Sequence, residues 1–217
     1  MNTKPFSLVL LLSLAVLFSG CQSAYYGAME KMGVHKRDIM VDRVKAARDS
    51  QEDAKQQFTS ALEQFKSVVN VKGGDLEAKY NKLNAELQKS EKQATEVRDR
   101  IEAVENVSNA LFKEWKAELK QYSDQKLRKS SQAKLEQTQA KYKQMMAAMK
   151  KAESKIDPVL NPLRDQVLFL KHNLNAEAIS SLSEDVASVQ LNVDQLIQDM
   201  EASIAEANQF INAMGLK

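Results

Sequence analysis

Four runs of residues spaced alternately four and three apart dominate this chain. The first is Met40, Val44, Ala47, Gln51, Ala54, Phe58, Ala61, Phe65 and Val68. The second is Leu76, Tyr80, Leu83, Leu87, Ser90, Ala94, Val97, Ile101, Val104, Ser108, Leu111, Trp115, Glu118 and Tyr122. A third, in looser register, takes Leu127, Leu135, Thr138, Tyr142, Met145, Met149, Ala152, Ile156, Leu163, Val167 and Leu170. The last is Ile179, Leu182, Val186, Val189, Val193, Leu196, Met200, Ile204, Ala207 and Ile211, ending near Gly215. A seven-residue repeat of this kind puts one apolar stripe on each helix. Water does not tolerate an uncovered stripe, so each helix must lie against another.

Turn residues divide the runs. Asn70-Val71-Lys72-Gly73-Gly74 ends the first, because the glycine pair permits a left-handed cap, and Asp75 is an N-cap candidate for the next. Ser123-Asp124 and His172-Asn173-Leu174-Asn175 are the other turns, with Asn175 capping the last helix. Pro158 and Pro162 each remove a backbone donor, so a kink or break is expected there. A helix of about 45 residues is about 70 Å long, and short turns make antiparallel neighbours the simplest arrangement. The expected fold is all-α: an elongated coiled-coil bundle of long antiparallel helices over roughly 38–70, 75–122, 125–172 and 176–213.

Polar residues on the seams, Gln51, Ser90, Ser108 and Glu118, cost stability and set register or assembly state. Leucine at Ser90 and Ser108 is expected to raise stability.

The start of the chain has another character. Phe6 to Phe18 is nearly all apolar, the length of a signal-peptide core and too short to span a bilayer comfortably. Leu17-Phe18-Ser19-Gly20-Cys21 follows, with small residues before the sole cysteine. Residues 1–20 are therefore expected to be a lipoprotein signal peptide, cut between Gly20 and Cys21, with Cys21 lipidated as the new first residue. Bacterial lipoproteins usually carry Leu where Phe18 stands. Three acyl chains make such attachment effectively permanent, whereas one is marginal. Gln22 follows in place of the Asp that retains enteric lipoproteins at the inner membrane, so the expected destination is the periplasmic face of the outer membrane. That compartment is oxidising, yet no cysteine is left over to form an internal disulfide. Residues 21–37 are the tether and start of the first helix, loosened by Gly27 and Gly33. Tyr25, Tyr26 and His35-Lys36-Arg37 also suit a headgroup layer.

Charge is balanced overall, with 31 Lys and Arg against 29 Asp and Glu, which argues against a general affinity for nucleic acid. It is unevenly placed. Residues 113–155 hold twelve cations and five anions, and residues 156–217 hold three and nine, so opposed helices can pair through flanking positions.

Equipment for catalysis is sparse. Gly73-Gly74 leads into Asp-Leu-Glu-Ala-Lys, with no Gly-Lys-Ser/Thr of a phosphate loop. His35 and His172 are far apart without clustered partners, which gives neither a metal site nor an acid–base pair. Acid pairs such as Glu184-Asp185 are ordinary on an exposed helix face. Trp115 and Tyr122 lie on the seam, and Met145, Met146 and Met149 read as core filling before an adaptable binding face. No cofactor and no enzyme activity are expected.

Several stretches resemble one known family. They are Cys-Gln-Ser-Ala-Tyr-Tyr-Gly-Ala-Met-Glu-Lys from Cys21, His35 to Ile39, Gly73 to Tyr80, Ala110 to Trp115, Arg164 to Asn175 and Met200 to Ala207. Together they resemble the bacterial lipoprotein family called domain of unknown function 2959, over essentially the whole chain after the leader. The resemblance implies a helical, outer-membrane-type lipoprotein of Gram-negative bacteria. Some members carry the label DNA-repair ATPase, which fits neither the missing nucleotide motif nor a periplasmic address.

The function expected from these features is a non-enzymatic scaffold or tether, lipid-anchored and holding a periplasmic protein partner at the end away from the anchor. The alternative is a curved helical homodimer that lays the basic 113–155 face on lipid.

Overall fold

The computed structural model describes residues 25–70 and 76–215. The leader, Gly20, Cys21, Gln22, the Gly73-Gly74 turn and Asp75 lie outside the described residues. Those described are helical and form no strand. A short helical segment over 25–31 precedes six helices: α1 (Lys36–Val69), α2 (Leu76–Glu118), α3 (Gln125–Ser154), α4 (Ile156–His172), α5 (Ala176–Leu182) and α6 (Val186–Met214).

These helices make four rods, because α3 with α4 and α5 with α6 each continue one line. The rods pack in a cycle: α1 on α2, α2 on α3 and α4, those two on α6, and α6 back on α1. All nine residues of the first seam are buried, as are those of the second from Leu83 to Leu111. At 34 and 43 residues, α1 and α2 are about 50 and 65 Å long.

Polar rungs on the flanks repeat every seventh residue. Between α1 and α6, Arg48 donates to Asn208 at 3.0 Å, and Lys55 meets Glu201 at 3.2 Å. Between the second and third rods the pairs are Glu105–Lys150 at 3.3 Å, Asp157–Arg98 at 2.7 Å and Glu91–Arg164 at 2.7 Å. Between the third and fourth, Gln144 donates to Glu206 at 2.9 Å, Lys151 to Asp199 at 2.8 Å, and Asn192 to the Pro158 carbonyl at 3.3 Å. In each series one chain advances by seven as the other retreats by seven, which is antiparallel heptad packing. Lys151 with Asp199 and Gln144 with Glu206 join the basic stretch to the acidic one.

Two of the four rods are interrupted, the third as expected near its prolines. The third rod breaks at Lys155, about one turn before Pro158. A proline has no N–H for the carbonyl four residues earlier and its ring crowds that carbonyl, so the disturbance falls on Ser154. The fourth rod breaks at Ser183-Glu184-Asp185, where the Asp185 carboxylate makes no cap bond and accepts from Gln166 at 3.4 Å. The break at Lys155 does not shift the repeat, since rungs on both sides of it keep the seven-residue step. Capping follows local chemistry. Asp124 accepts from the amides of Lys126 and Leu127 at 2.7 and 3.0 Å, and Asn175 accepts from Ala178 at 2.8 Å. No helix among the described residues is long and apolar enough to cross a membrane.

Candidate functional site

The bundle has two unlike poles. At one, the described chain begins. Residues 25–31 form a helical segment that reverses at Gly33, whose φ of +82° lies in the left-handed region. The Gly33 amide bonds the Glu30 carbonyl at 2.9 Å and the Val34 amide bonds Met29 at 3.0 Å, the paired bonds of a Schellman cap. The segment is therefore not a loose start to α1. It folds back over the groove between α1 and α2, with Tyr26 buried and close to Asn106 and Ala110.

Lys36 fastens it. Its ammonium donates to Glu30 on the segment and, at 3.0 Å, to Glu114 on α2. Burial works to lower the Lys36 pKa, but the hydrogen bonds to Glu30 and Glu114 outweigh it and hold the group above the ordinary lysine value. The same bond from Lys36 holds the Glu30 carboxyl below the ordinary glutamate value.

Beyond Glu114, α2 has outrun α1. Likewise the end of α6, at Phe210 to Met214, lies beside Lys134, Gln137, Thr138 and Lys141 of α3, short of that helix's first turns. The last turn of α2 and the first turns of α3 thus project as a two-helix hairpin. Trp115 holds it, donating from its ring nitrogen to the Ser131 hydroxyl at 2.9 Å, and Leu135 is buried inside. The seam continues into this hairpin with nothing among the described residues to cover it. Leu127 is 57 % exposed and Tyr122 40 % exposed, and Glu118 is exposed too. The spacing marks all three as seam positions; the partner rods end before reaching them.

Around these lie Lys116, Lys120, Lys126, Arg128, Lys129 and Lys134, none in an ion pair among the described residues. Two later cations of the basic stretch differ: Lys150 and Lys151 are held by Glu105, Glu153 and Asp199.

At the opposite pole, α4 ends and α5 begins. Leu168 is 59 % exposed, Phe169 43 % and Leu174 37 %. This apolar patch follows no seam, so the heptad pattern gave no sign of it.

The residues weighed for chemistry remain apart. His35 precedes α1 and His172 closes α4, both exposed. No group of three or more metal-binding side chains occurs among the described residues. Met145 and Met149 are fully buried and Met146 nearly so, as core filling requires. Ser90 and Ser108 are buried, with hydroxyls bonded to the Glu86 and Val104 carbonyls at 2.8 and 2.6 Å. Gln51 is buried with neither amide atom hydrogen-bonded.

The family model described as Protein of unknown function (DUF2959) matches residues 25–214. The chain belongs to this family. No curated protein matches it. The DUF2959 match spans all six helices and both poles, so the hairpin and the apolar patch lie within the family's own extent.

Proposed function

We propose that this DUF2959 protein is a lipid-anchored tether of the outer membrane whose helical bundle holds a periplasmic protein partner at its far pole. Signal cleavage after Gly20, lipidation of Cys21 and sorting by Gln22 supply the anchor. Cys21 stands four residues before Tyr25, a reach of about 14 Å at most. The anchor therefore keeps the pole carrying Lys36 and Glu114 at the bilayer. The observation that carries the reading is the apolar patch of Leu168, Phe169 and Leu174 at the opposite end, where α4 gives way to α5. Large apolar side chains clustered on a soluble surface mark contact sites.

The test has two arms. Radiolabelled palmitate should enter the full chain and fail to enter Cys21→Ser. Photocrosslinkers placed at Phe169 and Leu174 in the native envelope should capture a discrete partner that crosslinkers at Lys45 and Lys143 do not. Absence of label sinks the anchor; crosslinks gathered at the near pole sink the far-pole partner. A curved homodimer lying on lipid along the whole 113–155 face is less well supported, since Lys150 and Lys151 are occupied within the bundle.

A further inference from the structure

We infer that the α2–α3 hairpin is a second membrane contact, one that binds anionic phospholipid headgroups. It rests on the anchored reading for its orientation, but its affinity for lipid requires no anchor.

Three observations converge. First, six cations from Lys116 to Lys134 are without ion-pair partners among the described residues, while the same stretch holds only Glu118 and Asp124, the latter occupied as a cap. Second, Tyr122 and Leu127 are exposed at the turn itself, on a seam that lost its covering rods. A tyrosine and a leucine ringed by lysines match the layered chemistry of a bilayer interface, with apolar groups below the phosphates and ammonium groups among them. Between the helices, a cleft lined by Leu119 and Leu135, by Lys116, Lys120 and Arg128, and by the single anion Glu136 leaves space for the apolar stems to splay.

Third, the chain enters the structure on the same helix. Residues 25–31 lie along α2 from Asn106 to Ala117. From Ala110, beside Tyr26, to Glu118 is about 12 Å along the axis, within the reach of about 14 Å from Tyr25 to Cys21. An anchored Cys21 and the hairpin can thus meet one bilayer together. Two attachments fix the tilt of the bundle, which a single lipidated tether leaves free. Once the anchor holds, the hairpin meets lipid at high effective concentration, so a weak contact is enough.

The chain from Gln22 onward, made without lipid, contains every described helix and is the material for the test. It is sedimented with phosphatidylcholine vesicles and with vesicles that also contain phosphatidylglycerol. Binding is expected only to the anionic vesicles and should weaken as salt rises. The triple variant K126E/R128E/K129E should bind on the order of a hundredfold more weakly at low salt, from the usual contribution per cation at a membrane surface. Its melting curve should be unchanged, because these side chains hold nothing in the bundle. The control triple K82E/K92E/K171E, on exposed cations elsewhere, should bind as the parent does. Equal loss in both triples overturns the inference by reducing it to net charge. No binding to anionic vesicles, equal binding to neutral ones, or retention only on purified peptidoglycan also overturns it. Failure of palmitate labelling at Cys21 would remove the anchor and leave these results standing.

Discussion

Asn192 on α6 donates its side-chain amide to the carbonyl oxygen of Pro158 at 3.3 Å. That carbonyl is the one Pro162 leaves without a donor, since a proline lacks the N–H that would reach four residues back. A neighbouring rod thus repairs the damage, and it does so at a heptad step that also carries Lys151–Asp199 and Gln144–Glu206. Replacing Asn192 by Ala should cost about 1 kcal/mol, the usual net value of one hydrogen bond. In a Pro162→Ala background the cost should shrink toward zero, because the amide of residue 162 then serves the carbonyl. A double-mutant cycle by urea denaturation measures that coupling; additive effects would show that the two residues are unrelated.

Lys151 and Asp199 make an uneven pair. The Lys151 side chain is 66 % exposed and that of Asp199 only 4 %, and the second carboxylate oxygen of Asp199 has no hydrogen-bond partner among the described residues. Removing the lysine leaves a carboxylate buried without its cation. Lys151→Ala should therefore destabilise by about 1–3 kcal/mol. Lys151→Ala with Asp199→Leu should recover most of that, since losing both partners of a buried pair is close to neutral. Denaturation midpoints decide; a double variant as weak as the single one would refute the desolvation account.

The seam positions Gln51, Ser90 and Ser108 look alike in sequence and behave differently. Both amide atoms of Gln51 are buried and unbonded, whereas the serine hydroxyls are satisfied by their own helix. Gln51→Leu, similar in volume, should raise stability by about 1–3 kcal/mol. Leucine at Ser90 or Ser108 removes no such penalty and adds bulk at a site with no exposure, costing about 1–3 kcal/mol. This reverses the expectation drawn from spacing alone. Thermal melts of the three single variants are sufficient to check it.

Heptad spacing was legible because it is a property of one helix at a time. It named every residue that α1 buries on its seam, and it marked Asn175 as a cap. Spacing cannot tell where a partner stops. Leu127 and Tyr122 satisfy the pattern and lie exposed because α1 and α6 end before reaching the hairpin. Phe169 and Leu168 break the pattern, so nothing in the repeat pointed to the far pole. The reversal at Gly33 was hidden for another reason. A glycine loosens a helix or caps it, and only the bonds from Gly33 and Val34 to Glu30 and Met29 distinguish the two. The break at Lys155 was displaced from the prolines that cause it, because the lost donor is felt one turn upstream.

The Lys36 fastening predicts a particular response to pH. Glu30 titrates below the ordinary value of 4.5 because Lys36 hydrogen-bonds its charged form. Its contribution is thus fully present above 4.5 and is lost as pH falls through the lowered value. Lys36 is shifted the other way, above 10.5, so its contribution is intact below that value and lost only in stronger base. Segment 25–31 should stay docked across the neutral range and detach in acid, before the heptad core responds. Hydrogen exchange at the amides of residues 29–34, followed as pH is lowered through 4.5, reads this directly once corrected for the intrinsic rate. Lys36→Met should give the detached pattern at neutral pH. Gly33→Ala should do so by another route: nothing lies within 4 Å of the added carbon, so the cost is the left-handed backbone alone. That cost is about 1–2 kcal/mol. If exchange at these amides tracks global unfolding in all three conditions, the segment is part of the core and the fastening does not exist.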